Sequence, residues 1–160
     1  MNRTINCFKA YDARGKVPTD LNEEITYRIG RAYAEFIKPA SVAVGRDVRL
    51  SSEALFAALC AGLTDSGVDV LDLGLCGTEQ VYFAAFHLQL GGGIMITASH
   101  NPVDYNGLKF VRECAKPLSA DSGLVDIRSI AEAESFSPST RKGNITATDL
   151  SAAYVDHLLG

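Results

Sequence analysis

The stretch "GGGIMITASHNPVDYNGLKFV" (Gly91 to Val111) decides how this chain folds. A glycine turn leads into an apolar run that reads as a buried strand, and the run breaks at Thr97-Ala98-Ser99-His100-Asn101-Pro102. Ser and Asn bond nearby backbone and Pro lacks an amide hydrogen, so these residues read as a strand-ending turn. "GLKFV" (Gly107 to Val111) then reads as a returning strand, which makes the polar segment between them a tight excursion. That excursion gathers a hydroxyl (Ser99), an imidazole (His100), two amides (Asn101 and Asn106), Asp104, Tyr105 and a returning cation, Lys109. A cation facing a serine across such an excursion neutralises an oxyanion there, so the local chemistry is that of an anion site at a strand end.

Working outward, Leu21, Ile25, Ile29, Ala32, Tyr33 and Phe36 recur at helical spacing, predicting a helix over Leu21 to Ile37 with Asp20 as N-cap and Pro39 just past its end. "SVAVG" (Ser41 to Gly45) predicts a buried strand that delivers Arg46, Asp47 and Arg49 where it stops. Ser51 or Ser52 caps a second helix running to Asp65, "VDVLDL" (Val68 to Leu73) is a strand, and Thr78 opens a third helix. A fourth helix is predicted over Ser122 to Ala133. "ESFSPSTRKGNITATD" (Glu134 to Asp149) reads as a surface loop or linker, and "LSAAYVDHLLG" as a further helix. Alternating strands and helices with short connections predict an α/β domain whose ligands sit at strand C-terminal ends. Two such ends are "GRDVRLSS" (Gly45 to Ser52) and "ASHNPVDYNG" (Ala98 to Gly107).

Composition narrows the function classes. A net charge of -4 without a Lys/Arg-rich block argues against a nucleic-acid partner, since phosphate neutralisation needs clustered cations. No apolar stretch is long enough to span a bilayer, and "MNRTINCFKAYD" lacks the apolar centre of a signal peptide, so no membrane partner and a cytoplasmic location are expected. Cys7, Cys60, Cys76 and Cys114 contain no C-x-x-C pair and share no ligand spacing with His87, His100 and His157; buried free thiols are expected. Ser99 does not sit in a G-x-S-x-G elbow, and a histidine at the next position points away from it, which disfavours a serine hydrolase. Gly91 to Gly93 precede a strand with no G-K-[ST] following, which fails the phosphate-loop and dinucleotide patterns.

"TASHNPVDYNGLK" (Thr97 to Lys109) resembles the active-site serine loop of the α-D-phosphohexomutases, the phosphoglucomutase/phosphomannomutase family, and "FKAYDARGK" (Phe8 to Lys16) resembles their N-terminal "YDxRG" segment. "VGRDVRLSSEAL" and "GVDVLDLGLCGTEQVYF" extend the resemblance over essentially the whole chain. "GLCGTEQVYFAAFHL" and "YVDHLLG" are most similar to the bacterial phosphomannomutases that serve GDP-mannose and surface polysaccharide synthesis. The resemblance implies a three-layer α/β/α sandwich with a four-stranded mixed sheet, the family's domain I, over residues 1–135. Residues 136–160 would then be a linker and the start of a segment leading to a second domain.

It also implies a mechanism. Ser99 carries a phosphoryl group, passes it to a hexose phosphate to give a hexose 1,6-bisphosphate, and takes one back, with magnesium as cofactor bound through the Ser99 phosphate. Arg14 and Tyr11 lie beside the serine loop, His100 and Lys109 serve proton transfer or charge stabilisation, and Asn101 orients the loop and contacts substrate. Read without the family, Tyr11 packs a strand end, Asp12 caps a turn, Lys109 is a solvated strand residue and Arg46 with Asp47 is an ion pair fixing the loop. The family's magnesium loop (D-G-D-x-D-R), sugar-selecting loop and phosphate-binding loop belong to its later domains and do not occur in this sequence. The chain is therefore expected to need those domains as partners, with the hexose phosphate as substrate, and to have little mutase activity alone. Phosphoglucomutase or phosphoglucosamine mutase activity and a non-catalytic sugar-phosphate-binding domain are the alternatives.

Overall fold

A computed structural model describes residues 4–160; residues 1–3, where "MNRTINCFKAYD" and the first expected domain begin, lie outside the described residues. In chain order the elements are β1 (Ala13–Lys16), α1 (Glu23–Ile37), β2 (Ser41–Arg46), α2 (Ser52–Asp65), β3 (Asp69–Leu75), α3 (Thr78–His87), β4 (Gly92–Ile96), β5 (Tyr105–Arg112), α4 (Leu124–Ala133), β6 (Ile145–Ala147) and α5 (Ser151–Leu159). The strands form one sheet in the order β1-β5-β4-β2-β3-β6. β2 runs parallel to β3 and β4, and β3 to β6, whereas β5 is antiparallel to both β4 and β1.

The mixed sheet thus has six strands, not the four expected. The two additional strands are the edges: β1 within "YDARGK", and β6 inside the stretch 134–149 read as a loop or linker. β6 is exposed throughout, and β1 buries only the small residues Ala13 and Gly15, so neither strand writes a recognisable apolar alternation into the sequence.

The start of α1 differs from expectation, and at α2, which starts where expected with Ser51 at the N-cap position, only the side-chain capping bond is missing. Asn22, not Asp20, caps α1: its Oδ1 accepts the Ile25 amide hydrogen at 2.9 Å, while Asp20 closes the preceding turn by accepting from the Lys16 amide at 3.3 Å. Neither Ser51 nor Ser52 bonds a backbone amide of α2. Their hydroxyls instead accept from the side-chain amide of buried Asn106 at 2.8 and 3.0 Å, and Ser52 donates to Asp47 at 2.7 Å. The start of α2 is thereby tied to the end of β2 and the beginning of β5.

Alternation along β2 and β4 divides the core. Val42, Val44, Ile94 and Ile96 pack with Ile29, Tyr33, Leu55, Leu59 and Ile127 from α1, α2 and α4. On the other face Ala43 meets Ala84 of α3 and Leu90, with Leu71, Leu73 and Leu150 packed against them. This gives three layers. The closest helix contact is α1 against α2, where Gly30 faces Gly62: a Cβ on Gly62 would run into the Tyr27 carbonyl oxygen and lie 3.2 Å from the Gly30 Cα. Cys7 and Cys60 are buried, as expected, and Cys76 is half-buried. Cys114 is exposed, because it sits in the turn Glu113–Ala115 beyond β5. No helix among the described residues is long and apolar enough to cross a membrane.

Candidate functional site

Residues 97–104 leave the sheet after β4 and re-enter it at β5, and backbone bonds clamp their feet. The Thr97 amide donates to Gly107 O at 2.9 Å, and the Asp47 amide to Ile96 O at 3.0 Å. Gly107 is where three backbones converge: a Cβ there would collide with the Ala13 carbonyl oxygen and stand 3.0 Å from that of Thr97. Beyond the feet, the Asn101 amide bonds Ala98 O at 3.1 Å and the Ser99 amide bonds Thr97 Oγ1 at 3.0 Å. The turn puts Ser99 in the left-handed region, φ 55°, a conformation that costs a non-glycine residue on the order of 1–3 kcal/mol. Ser99 and His100 are both exposed at its crown.

Arg14 of β1 stands opposite Gly107 of β5, so it shares a sheet face with Lys109 two residues along. Its Nη1 donates to Asn101 Oδ1 at 2.8 Å and its Nη2 to Asp12 Oδ2 at 2.6 Å, while its Nε is buried without a partner. Asp12 is therefore the counter-ion of Arg14, not a turn cap. Arg14 and Lys109 line an open groove of about 600 Å³ with Lys9, Tyr11, Asp12 and Tyr82. Three cations face one carboxylate there, and Lys9 and Lys109 have no ion pair among the described residues. Tyr11 is 78% exposed and stands on the rim instead of packing a strand end. Burial, and then the charges of Glu79 and Asp12, push the Tyr82 phenol above its ordinary value.

Of the residues singled out from sequence, Arg14 and Asn101 touch, and Arg14, Tyr11 and Lys109 share the groove. Ser99 and His100 are not among its lining residues and project from the adjoining crown. Sequence reasoning set Arg49 at the end of β2 but gave it no role. Its Nη1 donates to the carbonyls of Pro102 at 2.7 Å and Tyr105 at 3.0 Å, and its Nη2 to those of Ser99 at 3.1 Å and Asn101 at 2.8 Å. Asp47 orients it, with Oδ1 accepting the Arg49 amide at 3.1 Å and Oδ2 standing 3.5 Å from its Nε. Arg46 does not pair with Asp47; it binds Glu53 and Asp72 and lies over the Phe56 ring at 4.1 Å. The available signal was the charge at the end of a buried strand in "GRDVR".

No group of three or more His, Cys, Asp or Glu among the described residues could hold a metal. Asp12 and Asp47 are spent on arginines, and Asp104 lies 4.0 Å from Lys16. Magnesium wants several oxygens in near-octahedral array. These residues do not build that set.

Comparison with known proteins gives one consistent result. The model of the phosphoglucomutase/phosphomannomutase α/β/α domain I matches residues 6–138. A phosphomannomutase of Escherichia coli K12 is 57% identical over 160 residues, covering 99% of this chain and 35% of that protein. The chain thus spans about a third of the length of that relative. A Klebsiella pneumoniae sequence named phosphomannomutase is 56% identical over 154 residues, covering 95% of this chain and 98% of its own length. Among solved structures, a phosphoglucomutase/phosphomannomutase family protein from Burkholderia thailandensis superposes with a TM-score of 0.87 at 32% identity, over 96% of this chain and 35% of that one. With a matching model over most of its length, half its residues or more shared with these relatives, and the same fold, the chain belongs to the phosphoglucomutase/phosphomannomutase family and carries its α/β/α domain I.

Proposed function

We propose that this chain is the serine-bearing domain of a phosphomannomutase that interconverts mannose 6-phosphate and mannose 1-phosphate. The observation that carries the reading is the exposed, left-handed Ser99 on a loop tied through Asn101 to Arg14, beside a groove with three cations. A phosphoserine at the crown brings a charge of about -1.5 to -2, which that electropositive surface offsets.

Ser99 Oγ, as phosphoserine, loses its phosphoryl group to the free hydroxyl of the sugar phosphate. The Oγ–P bond breaks as the sugar O–P bond forms, the sugar hydroxyl proton leaves, and the departing serine oxygen regains a proton. The hexose 1,6-bisphosphate turns end for end and returns its other phosphoryl group to Ser99 by the reverse steps. Such transfer is mostly positioning and charge stabilisation. Arg14 and Lys109 supply charge, His100 or Lys109 moves the proton, and Tyr11 and Asn101 contact substrate. Magnesium, when bound, would neutralise phosphate charge, held by the Ser99 phosphate and by ligands from outside this chain.

Mannose is favoured because the Escherichia coli and Klebsiella relatives bear that name, and supply of GDP-mannose for surface polysaccharide is the matching role. The remaining domains complete the cleft, the location is cytoplasmic, and the 160-residue chain alone has little activity. Intact-mass and peptide analysis of the full-length enzyme should find phosphate on Ser99, and Ser99→Ala should fold yet lose most turnover. A Ser99→Ala enzyme with wild-type turnover overturns the assignment.

A further inference from the structure

We infer that Arg49 is a positioning residue for phosphoryl transfer: by drawing four carbonyls of the serine loop onto one guanidinium, it fixes the left-handed crown that presents Ser99. The inference rests on the phosphoserine reading above. The four accepting carbonyls, of Ser99, Asn101, Pro102 and Tyr105, span the whole excursion, and two donor nitrogens serve them in pairs. Arg49 is seven-eighths buried, with its side chain 13% exposed, and Asp47 holds it from behind through its backbone amide and its Nε. Asp47 in turn accepts from Ser52, and Ser52 from Asn106, so the strap is anchored in β2, α2 and β5 together.

The strap also aims backbone donors. A trans peptide is planar, with its carbonyl and its amide hydrogen on opposite edges. Turning the Ser99 carbonyl toward Arg49 turns the His100 amide away from it, and turning the Pro102 carbonyl does the same for the Val103 amide. Neither amide donates to a described residue. The loop's carbonyl dipoles therefore converge on the Arg49 guanidinium while two amide hydrogens face the other way, the arrangement that favours an anion on the outer side. Lysine cannot replace this arginine, because an ammonium lacks the planar fork that serves four acceptors at once.

The test is made in the full-length enzyme, with Arg49→Lys and Arg49→Ala measured against wild type and Ser99→Ala. A displacement of a reacting group by about 1 Å costs about 100-fold, so kcat should fall about 10- to 100-fold in both arginine variants with KM within about twofold of wild type. Millimolar guanidinium should restore part of the Arg49→Ala rate and none of the Ser99→Ala rate. Wild-type kcat in folded Arg49→Lys, with Ser99→Ala inactive, overturns the inference and leaves the phosphoserine reading standing; an active Ser99→Ala enzyme overturns both. If neither arginine variant folds, Asp47→Asn carries the test: a lowered kcat at unchanged KM supports the strap, and wild-type kcat overturns it.

Discussion

Arg14 reaches across 87 positions of sequence to donate a 2.8 Å hydrogen bond from Nη1 to Asn101 Oδ1, so an edge strand near the start of the chain braces the serine loop. If the two act through one bond, their losses overlap instead of adding. In the full-length enzyme Asn101→Ala should lower kcat/KM about 10- to 100-fold, and Arg14→Gln at least as much. The double variant should fall no more than about twofold below the worse single one. Losses that multiply in the double variant, measured by steady-state kinetics, would separate the two roles.

Thiol reactivity should follow burial. Desolvation pushes the Cys7 and Cys60 thiols up to about 12, so at pH 8 neither carries appreciable thiolate. Cys114 is exposed in its turn, and half-buried Cys76 is raised by the same cause. Iodoacetamide on the native protein, followed by peptide mass analysis, should label Cys114 first and Cys76 slowly, with Cys7 and Cys60 labelled only in denaturant. Rapid native labelling of Cys60 would contradict the packing of α2 against the sheet.

The contact of α1 with α2 leaves no room for a methyl group. Gly62→Ala should cost about 1–3 kcal/mol through overpacking against the Tyr27 carbonyl, read as a lower urea midpoint at unchanged slope. An unchanged midpoint would mean that the helices separate freely there.

Acid should weaken the fold through specific carboxylates. The Tyr27 hydroxyl, ahead of Lys142, holds Asp65 below its ordinary 3.8, and the Ser137 amide and hydroxyl hold Glu35 below its ordinary 4.5. Because the folded values are the lower ones, each contributes stability above its ordinary value and loses it as pH falls through the folded value. Both lie near the surface, so the Asp65 effect stays under about 1 kcal/mol. Stability to urea should decline below pH 4, and Asp65→Asn should flatten that decline. An equal slope in the variant would remove Asp65 from the account.

The central elements were legible because buried strands and amphipathic helices write their periods into sequence: Ser41–Arg46 ends one residue past the expected Gly45, and α3 opens at Thr78 as expected. β1 and β6 were not, being four and three residues long at sheet edges, too short to display a period. At the site, Ser99, Asn101 and Arg14 could be singled out because their side chains carry the resemblance. Arg49 could not, because its partners are carbonyls, and every residue has one. The cap of α1 lies two residues past Asp20, at Asn22, and Ser51 holds the N-cap position of α2 while its hydroxyl serves the Asn106 side-chain amide, a long-range partner that local spacing does not display.

The clamp at Gly107 has an evolutionary consequence. Both feet of the serine loop close on backbone atoms of this domain, through Thr97 to Gly107 and Asp47 to Ile96, and its crown is strapped from Arg49. The loop's shape is thus set from within this domain, by backbone of β2, β4 and β5 and by the Arg49 side chain. Substitutions elsewhere on the surface of this domain can therefore accumulate without reshaping the loop, as long as Gly107, Asp47 and Arg49 stay in place.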